Sequence, residues 1–226
     1  IAKGLASKVA LGPQGELIGL VHDLGKYSNE FQAYLKSAVG LINQDEDGFV
    51  DAQGLKGKVD HSTAGAQLVW EKLSKHGQLG QVVGQMLSLC IASHHSGLID
   101  CLSSNANKPV EDIFTRRAGK QDDRSHLREA MSKMDMLIDK RFRELSSMPS
   151  LISGIEEAIR KVARGEKVEA IIRFKVGLLV RLLFSCLIDA DRIDTADFER
   201  PRAAKHRLKG QYTEWPLLIE RLEKHL

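Results

Sequence analysis

Apolar residues recur three and four positions apart along almost the whole chain, the spacing that puts side chains on one face of an α-helix. Val, Ile and Thr do not gather into alternating runs, so no strand is predicted. The spacing predicts helices over residues 2–11, 14–24, 28–41, 61–76, 79–93, 123–146, 150–164, 167–195 and 214–226. Gly12-Pro13 separates the first two, and Pro149 opens a new segment after Ser146-Ser147. Asp60 or Ser62 can cap the fourth helix, because either side chain can accept from a free amide of the first turn.

Two stretches interrupt this pattern. Residues 43–60, "NQDEDGFVDAQGLKGKVD", are acidic and then Gly-rich, as expected of a surface loop. Residues 99–122 are polar, with a short helix possible over 110–118. There is no internal repeat and no low-complexity tract. The expected fold class is all-α: a single helical bundle over residues 1–226 with two long loops.

Composition narrows the function classes. At 226 residues the chain can bury a sizeable core, and its 42% apolar and 28% charged residues are ordinary for a globular protein. A formal charge of +3 is too small to imply a polyanionic partner by itself, so any such partner must meet a local patch. Cys90, Cys101 and Cys186 are odd in number and lack metal-type spacing, which suggests reduced thiols and a cytoplasmic location. No apolar run reaches the roughly 18 residues that would span a bilayer, and no signal peptide is visible. The chain begins at Ile1 and not Met, so it is expected to belong to a longer protein.

Candidate chemistry lies in the eight histidines. His22 precedes Asp23 at the end of an apolar helix, and His61 follows Asp60 at the start of another. His94 and His95 are adjacent at the end of "QMLSLCIASHHSG". Neighbouring side chains within a helix point about 100° apart. At a helix end both can turn toward one cavity, or each can serve one of two nearby ions. A carboxylate such as Asp23 has two oxygens and can bridge them. Asp189, Asp191 and Asp194 lie at the end of a long, strongly apolar helix, where the macrodipole favours cations over anions. His76, His126, His206 and His225 sit in charged neighbourhoods and receive no role. Any one of these motifs is usually a wet, polar helix end. The ordered set of HD, single His, HH and late Asp points instead to a mixed His/carboxylate metal site.

The segments "HDLGKYSNEFQAYL", "DHSTAGA", "ASHHSG" and "LLFSCLIDADRIDT", in that order, resemble the HD phosphohydrolase superfamily, and more closely the HD nuclease domain of Cas3 proteins of type I CRISPR systems. The resemblance runs from about Gly19 to Asp197 and implies an HD-domain helical bundle. It implies His22, Asp23 and Asp191 as ligands of a first metal, with Asp23 shared, and His61, His94 and His95 as ligands of a second. It places Lys26 beside the substrate phosphate or a neighbouring carboxylate, so that Asp23 and Lys26 carry the catalytic role. Asp189 is the fallback ligand should the helix register differ. Cas3 domains of this kind usually carry one more histidine upstream of HD. None precedes His22 here, and that residue is expected in sequence before Ile1. Were it absent, the first metal would bind weakly.

Nitrogen-rich ligand sets suit Mn, Fe, Co, Ni or Zn better than Mg or Ca. One or two such ions are expected, activating a water for attack on a phosphodiester. The resemblance implies single-stranded DNA as substrate, a fused or separate Cas3 helicase domain and the CRISPR surveillance complex as partners, and no membrane. The chain itself carries no Gly-x-x-x-x-Gly-Lys run of a helicase. Arg116, Arg117 and Lys120, with Phe114 near by, are candidates for nucleic-acid contact. So are Arg200, Arg202, Lys205, Arg207 and Lys209; a solvated basic surface explains either group equally well. Two competing functions share part of this picture: an HD phosphohydrolase acting on small nucleotides, and a non-enzymatic helical module with structural histidines.

Overall fold

The helical spacing is realised in the computed structural model, which describes residues 1–42, 50–55, 59–99, 101, 112–207 and 213–225. The chain opens with α1 (Ala2–Ser7), α2 (Gly12–Val21), a 3-10 turn (Leu24–Tyr27), α3 (Asn29–Ala38) and α4 (Ala52–Leu55). Next come α5 (Ser62–Leu73), α6 (Gly77–Ser93), α7 (Ile113–Ala118), α8 (Asp122–Ser125) and α9 (Leu127–Lys133). The last elements are α10 (Met136–Ser147), α11 (Pro149–Ala163), α12 (Glu169–Glu199), α13 (Pro201–Ala204) and α14 (Trp215–Glu223). No β-sheet forms among the described residues, and no helix there is long and apolar enough to cross a membrane.

α2 is the centre of the packing. Leu17, Ile18 and Val21 are fully buried between α1, α6, α10, α11 and α12. α5 and α6 form a hairpin whose turn uses Gly77 in the left-handed region, φ +71°, where a side chain would be strained. Leu73, Leu87, Ile91, Leu183 and Leu187 complete the same core. Each such side chain contributes about 1.5–3 kcal/mol through removal from water. A buried amide adds direction: Gln14 Nε2 donates to the Ser150 carbonyl at 3.0 Å and the Leu151 carbonyl at 2.7 Å, tying the start of α2 to α11.

Several boundaries differ from the periodicity. The helix predicted over 123–146 is three helices, α8 to α10. His126 takes a left-handed conformation, φ 54°, and Asp135 caps α10 by accepting from the Leu137 and Ile138 amides. The helix predicted over 2–11 ends at Ser7, and Ala10 at φ 62° turns the chain into α2. α12 continues to Glu199 and not to 195. Asp189, Asp191 and Asp194 therefore lie inside a helix, not at its C-terminus, and the expected conflict with the macrodipole does not arise. Of the two predicted loops, 43–60 contains α4 and 99–122 contains α7; residues 43–49, 56–58, 100 and 102–111 lie outside the described residues, as does Lys209.

One close approach sets how α5 lies on α2. A Cβ built on Gly65 would stand 2.0 Å from the Val21 carbonyl oxygen, so α5 fits only with a glycine there. Gly65→Ala is expected to lower unfolding free energy by about 1–3 kcal/mol through overpacking. Gly177→Ala in α12, where an added Cβ meets nothing within 4 Å, is expected to raise it by about 0.5–1 kcal/mol. Urea midpoints of the two variants against wild type check both signs.

Candidate metal centre

The ends of three helices converge on one spot. His22 is the C-cap residue of α2, and Asp23 next to it starts the 3-10 turn. His61 occupies the N-cap position of α5. His94 is the C-cap residue of α6, with His95 following. Asp191 reaches the same place from the middle of α12. The two loops touch through backbone: the Gly25 amide donates to the His61 carbonyl at 3.0 Å. A Cβ on Gly25 would lie 2.5 Å from the Cα and carbonyl oxygen of His61. The glycine of "HDLGK" is what lets the HD turn approach His61.

Potential ligand atoms fall into two groups, each within 4.8 Å of one another: Asp23, His61, His94 and His95, and His22, Asp23 and Asp191. Asp23 belongs to both. Its Oδ1 lies 3.6 Å from His61 Nε2 and 3.5 Å from His94 Nε2. Its Oδ2 lies 3.3 Å from His22 Nε2 and 2.6 Å from Lys26 Nζ. His22 Nε2 is 3.6 Å from Asp191 Oδ1, and the Nε2 atoms of His61 and His95 are 2.5 Å apart.

Backbone carbonyls set the tautomers of three rings. Nδ1 lies 3.0 Å from the Gly19 carbonyl in His22, 3.2 Å from that of Val59 in His61, and 2.7 Å from that of Ile91 in His94. A carbonyl only accepts, so each Nδ1 carries the proton and each Nε2 turns a lone pair inward. The result is a knot of acceptors. His22 Nε2, His94 Nε2 and Asp23 Oδ1 are buried without a hydrogen-bond partner, an arrangement that costs free energy unless a cation lies among them. The donor set therefore fits a divalent metal.

The electrostatics divide the site. Burial alone would raise the Asp23 carboxyl, but the adjoining His22 and His94 rings and the Lys26 ammonium hold it far below the usual carboxylate range. Burial would lower His22, yet the adjoining Asp23 carboxylate keeps it above its ordinary value. Burial lowers His61 against the pull of Asp23. His95 is pushed down to about 4, first by burial and then by repulsion from His94 and His61. His61 and His95 are thus neutral at pH 7, the form a metal requires.

The structure brings all six proposed ligands together and sets Lys26 beside them. Asp189 is exposed and stays outside both groups, whereas Asp191 joins one of them. The basic residues of the second loop are placed differently. Lys120 Nζ lies 2.5 Å from Asp60 Oδ2, and Arg117 donates to the hydroxyls of Ser62 at 2.9 Å and Thr63 at 3.2 Å. Gln67 pins this segment by donating to the Ala118 and Lys120 carbonyls. Arg117 and Lys120 thus spend their donors inside the protein, while Arg116 is exposed. Sequence reading treated Asp60 only as a candidate cap. It does accept from the Thr63 amide at 3.1 Å and the Thr63 hydroxyl at 2.6 Å, and it also anchors the clamp that fixes the peptide preceding His61. Its alternative, Ser62, does not cap the helix: its hydroxyl donates to Asp60 Oδ1 at 3.4 Å and accepts from Arg117.

A cavity of about 500 Å³ opens beside the cluster, lined by His22, Asp23, Lys26, Asp191, Asp194 and Phe198 among others. Its charge is mixed: Lys3 reaches it, but pairs with Glu16 at 2.8 Å.

Burial would raise the Asp60 carboxyl, but Lys120 and Thr63 hold it down at about 2. A depressed carboxylate stabilises the fold fully above its unfolded pKa and loses that contribution as pH falls through the folded value. Asp60→Asn is expected to lower stability at pH 7 by about 2 kcal/mol. The gap to wild type should close as pH falls from about 4 to about 2, which chemical unfolding across that range would measure.

A family model described as "Cas3, HD domain" matches residues 15–159. That span contains His22, Asp23, His61, His94 and His95, whereas Asp191 lies beyond it and owes its place to the fold. No curated protein and no solved structure matches the chain. A match over more than half of the chain, with the HD turn and paired histidines meeting in space, shows that this protein belongs to the Cas3 HD-domain family, whose members are metal-dependent hydrolases.

Proposed function

We propose that this protein, taken over residues 1–226 as one nuclease domain, cleaves phosphodiester bonds of single-stranded DNA in CRISPR interference. It would work with a Cas3 helicase domain and the CRISPR surveillance complex. The observation that carries the reading is the half-buried Asp23 carboxylate shared between two ligand groups. His22, Asp23 and Asp191 would hold one divalent ion; His61, His94 and His95, with Asp23, would hold the other. Four imidazoles and two carboxylates suit Mn, Fe, Co or Ni over Mg. When bound, such ions supply a water nucleophile at neutral pH and neutralise charge on the phosphate.

The chain's own groups have defined parts in this. Asp23 carries the negative charge that both ligand groups face, and His22, His94 and Lys26 keep it ionised. The Lys26 side chain is 41% exposed at the cavity wall, so its ammonium can also meet a non-bridging phosphate oxygen. The three carbonyl-anchored imidazoles hold their Nε2 atoms in place without a reorganisation cost. Ser62, Ser93 and Cys90 are all engaged or held protonated. Ser93 accepts from the Ile99 amide and Ser62 from Arg117, while burial pushes the Cys90 thiol up to about 12.

One observation favours the alternative, a phosphohydrolase of small nucleotides: the cavity is not basic, since Lys3 is paired and Glu16 and Asp194 share the lining. Substrate profiling separates the two. Protein loaded with Mn, Co or Ni is expected to cut a labelled single strand, and to do so poorly with Mg. Asp23→Ala should reduce cutting by at least about a hundredfold and lower bound metal. Phosphate release from mononucleotides with the strand left intact would overturn the nuclease reading.

A further inference from the structure

The cavity beside the cluster does not stop at the ligands. It continues along α12 past Asp194 and Thr195 to Phe198. Asp191 and Phe198 are seven residues apart, two helical turns, so both stand on the same face about 10 Å apart along the axis. Phe198 is 87% exposed and takes no part in the hydrophobic core. Single exposed apolar side chains are common and need no explanation. What distinguishes this one is its place: among the described residues it is the only Phe, Tyr or Trp in the lining of the cavity walled by His22, Asp23 and Asp191.

A second cavity, about 310 Å³, shares Leu20, Asp23 and Lys26 with the first and is otherwise walled largely by Leu24, Tyr27 and Ile138. The charged pair Asp23–Lys26 therefore has largely apolar surface on the side of the second cavity, and on the other side a mixed lining that ends at Phe198. An extended strand matches that alternation, with a phosphate at the charged pair and bases against the walls. The lining offers few unpaired cations, so phosphate contacts alone give a strand little hold.

We propose that Phe198 is the base-stacking residue of this groove, holding a nucleobase of the bound single strand on the α12 side of the cluster. The proposal rests on the reading of the cluster as a phosphodiester-cleaving centre. Every base has a π-face, so stacking on Phe198 tolerates any sequence. It also supplies affinity that does not depend on phosphate charge, which an acidic lining would otherwise weaken. A mononucleotide, lacking a neighbouring base, gains nothing from it.

Phe198→Ala tests this, since an exposed ring can be removed with little effect on the fold. The expected result is a KM for single-stranded DNA raised between about fivefold and about a hundredfold, with kcat and bound metal unchanged. Phe198→Trp should restore the KM. A strand carrying 2-aminopurine, mixed with protein in a stopped-flow instrument and read before cutting, should lose fluorescence with wild type and Phe198→Trp but not with Phe198→Ala. Equal KM and equal quenching for wild type and Phe198→Ala would overturn the stacking role. A wild-type protein that binds metal but cuts no strand would overturn the nuclease reading instead, and the quenching would still decide whether Phe198 stacks on a base.

Discussion

Asp23 keeps its negative charge in a place where burial disfavours it, and the surrounding elements are arranged to make that tenable. An unpaired buried charge costs several kcal/mol. Here one oxygen has the Lys26 ammonium at 2.6 Å, while the other is buried among imidazole lone pairs and has no hydrogen-bond donor. The hydrogen bonds from His22, His61 and His94 to backbone carbonyls deepen this imbalance, because they commit the ring protons elsewhere. What is left unsatisfied is a set of acceptors around one anion, the condition a divalent cation relieves. The same imbalance explains the opposite shifts of the rings: His22, beside Asp23, is drawn toward the charged form, while crowding and burial hold His61 and His95 neutral.

Bringing those groups together depends on backbone as much as on side chains. Gly25 against His61, and Gly65 against Val21, let two loops and two helices approach more closely than any Cβ would permit. The clamp of Asp60, Lys120 and Arg117 then holds the start of α5 from the far side. His61 is thus fixed from both directions, by the Gly25 amide on its carbonyl and by the ion pair at the residue before it. The second loop's basic segment belongs to the support of the site, through Gln67 and Asp60.

Much of this was legible in the sequence, and for physical reasons. Apolar periodicity reports burial directly, so the helices that form the core, α2, α5, α6, α11 and the apolar half of α12, were readable. His22, His61 and His94 were readable as well, because each ends or begins an apolar run and a polar, metal-capable residue there has the backbone freedom to turn inward. Motif order points to Asp191 but not to its place within the helix, because α12 runs on to Glu199 through a polar stretch that periodicity does not register. The break at His126 was invisible because apolar spacing continues across it, and only the φ of 54° shows the turn. Gly25 was quoted within a motif, yet its reason for being glycine is a contact 36 residues away in sequence, which no local pattern contains.

Charge was the least legible property, since counting Lys and Arg says nothing of what they face. Arg117 and Lys120 read as a basic patch in sequence; in the fold their donors are taken by Asp60, Ser62 and Thr63. The cavity that leads to the ligand cluster is correspondingly poor in free cations, with Lys3 held by Glu16. A polyanion entering it meets attraction only where Lys26 stands and where metal would sit. Under the proposed reading binding and chemistry would draw on the same ions: loss of metal would remove the positive charge facing the phosphate together with the group that activates water. A site of this kind does not need a broad basic surface to select its substrate. Under the proposed reading a fixed anion, Asp23, would hold cations where the phosphate must come, with Phe198 on one side and the apolar wall of Leu24, Tyr27 and Ile138 on the other.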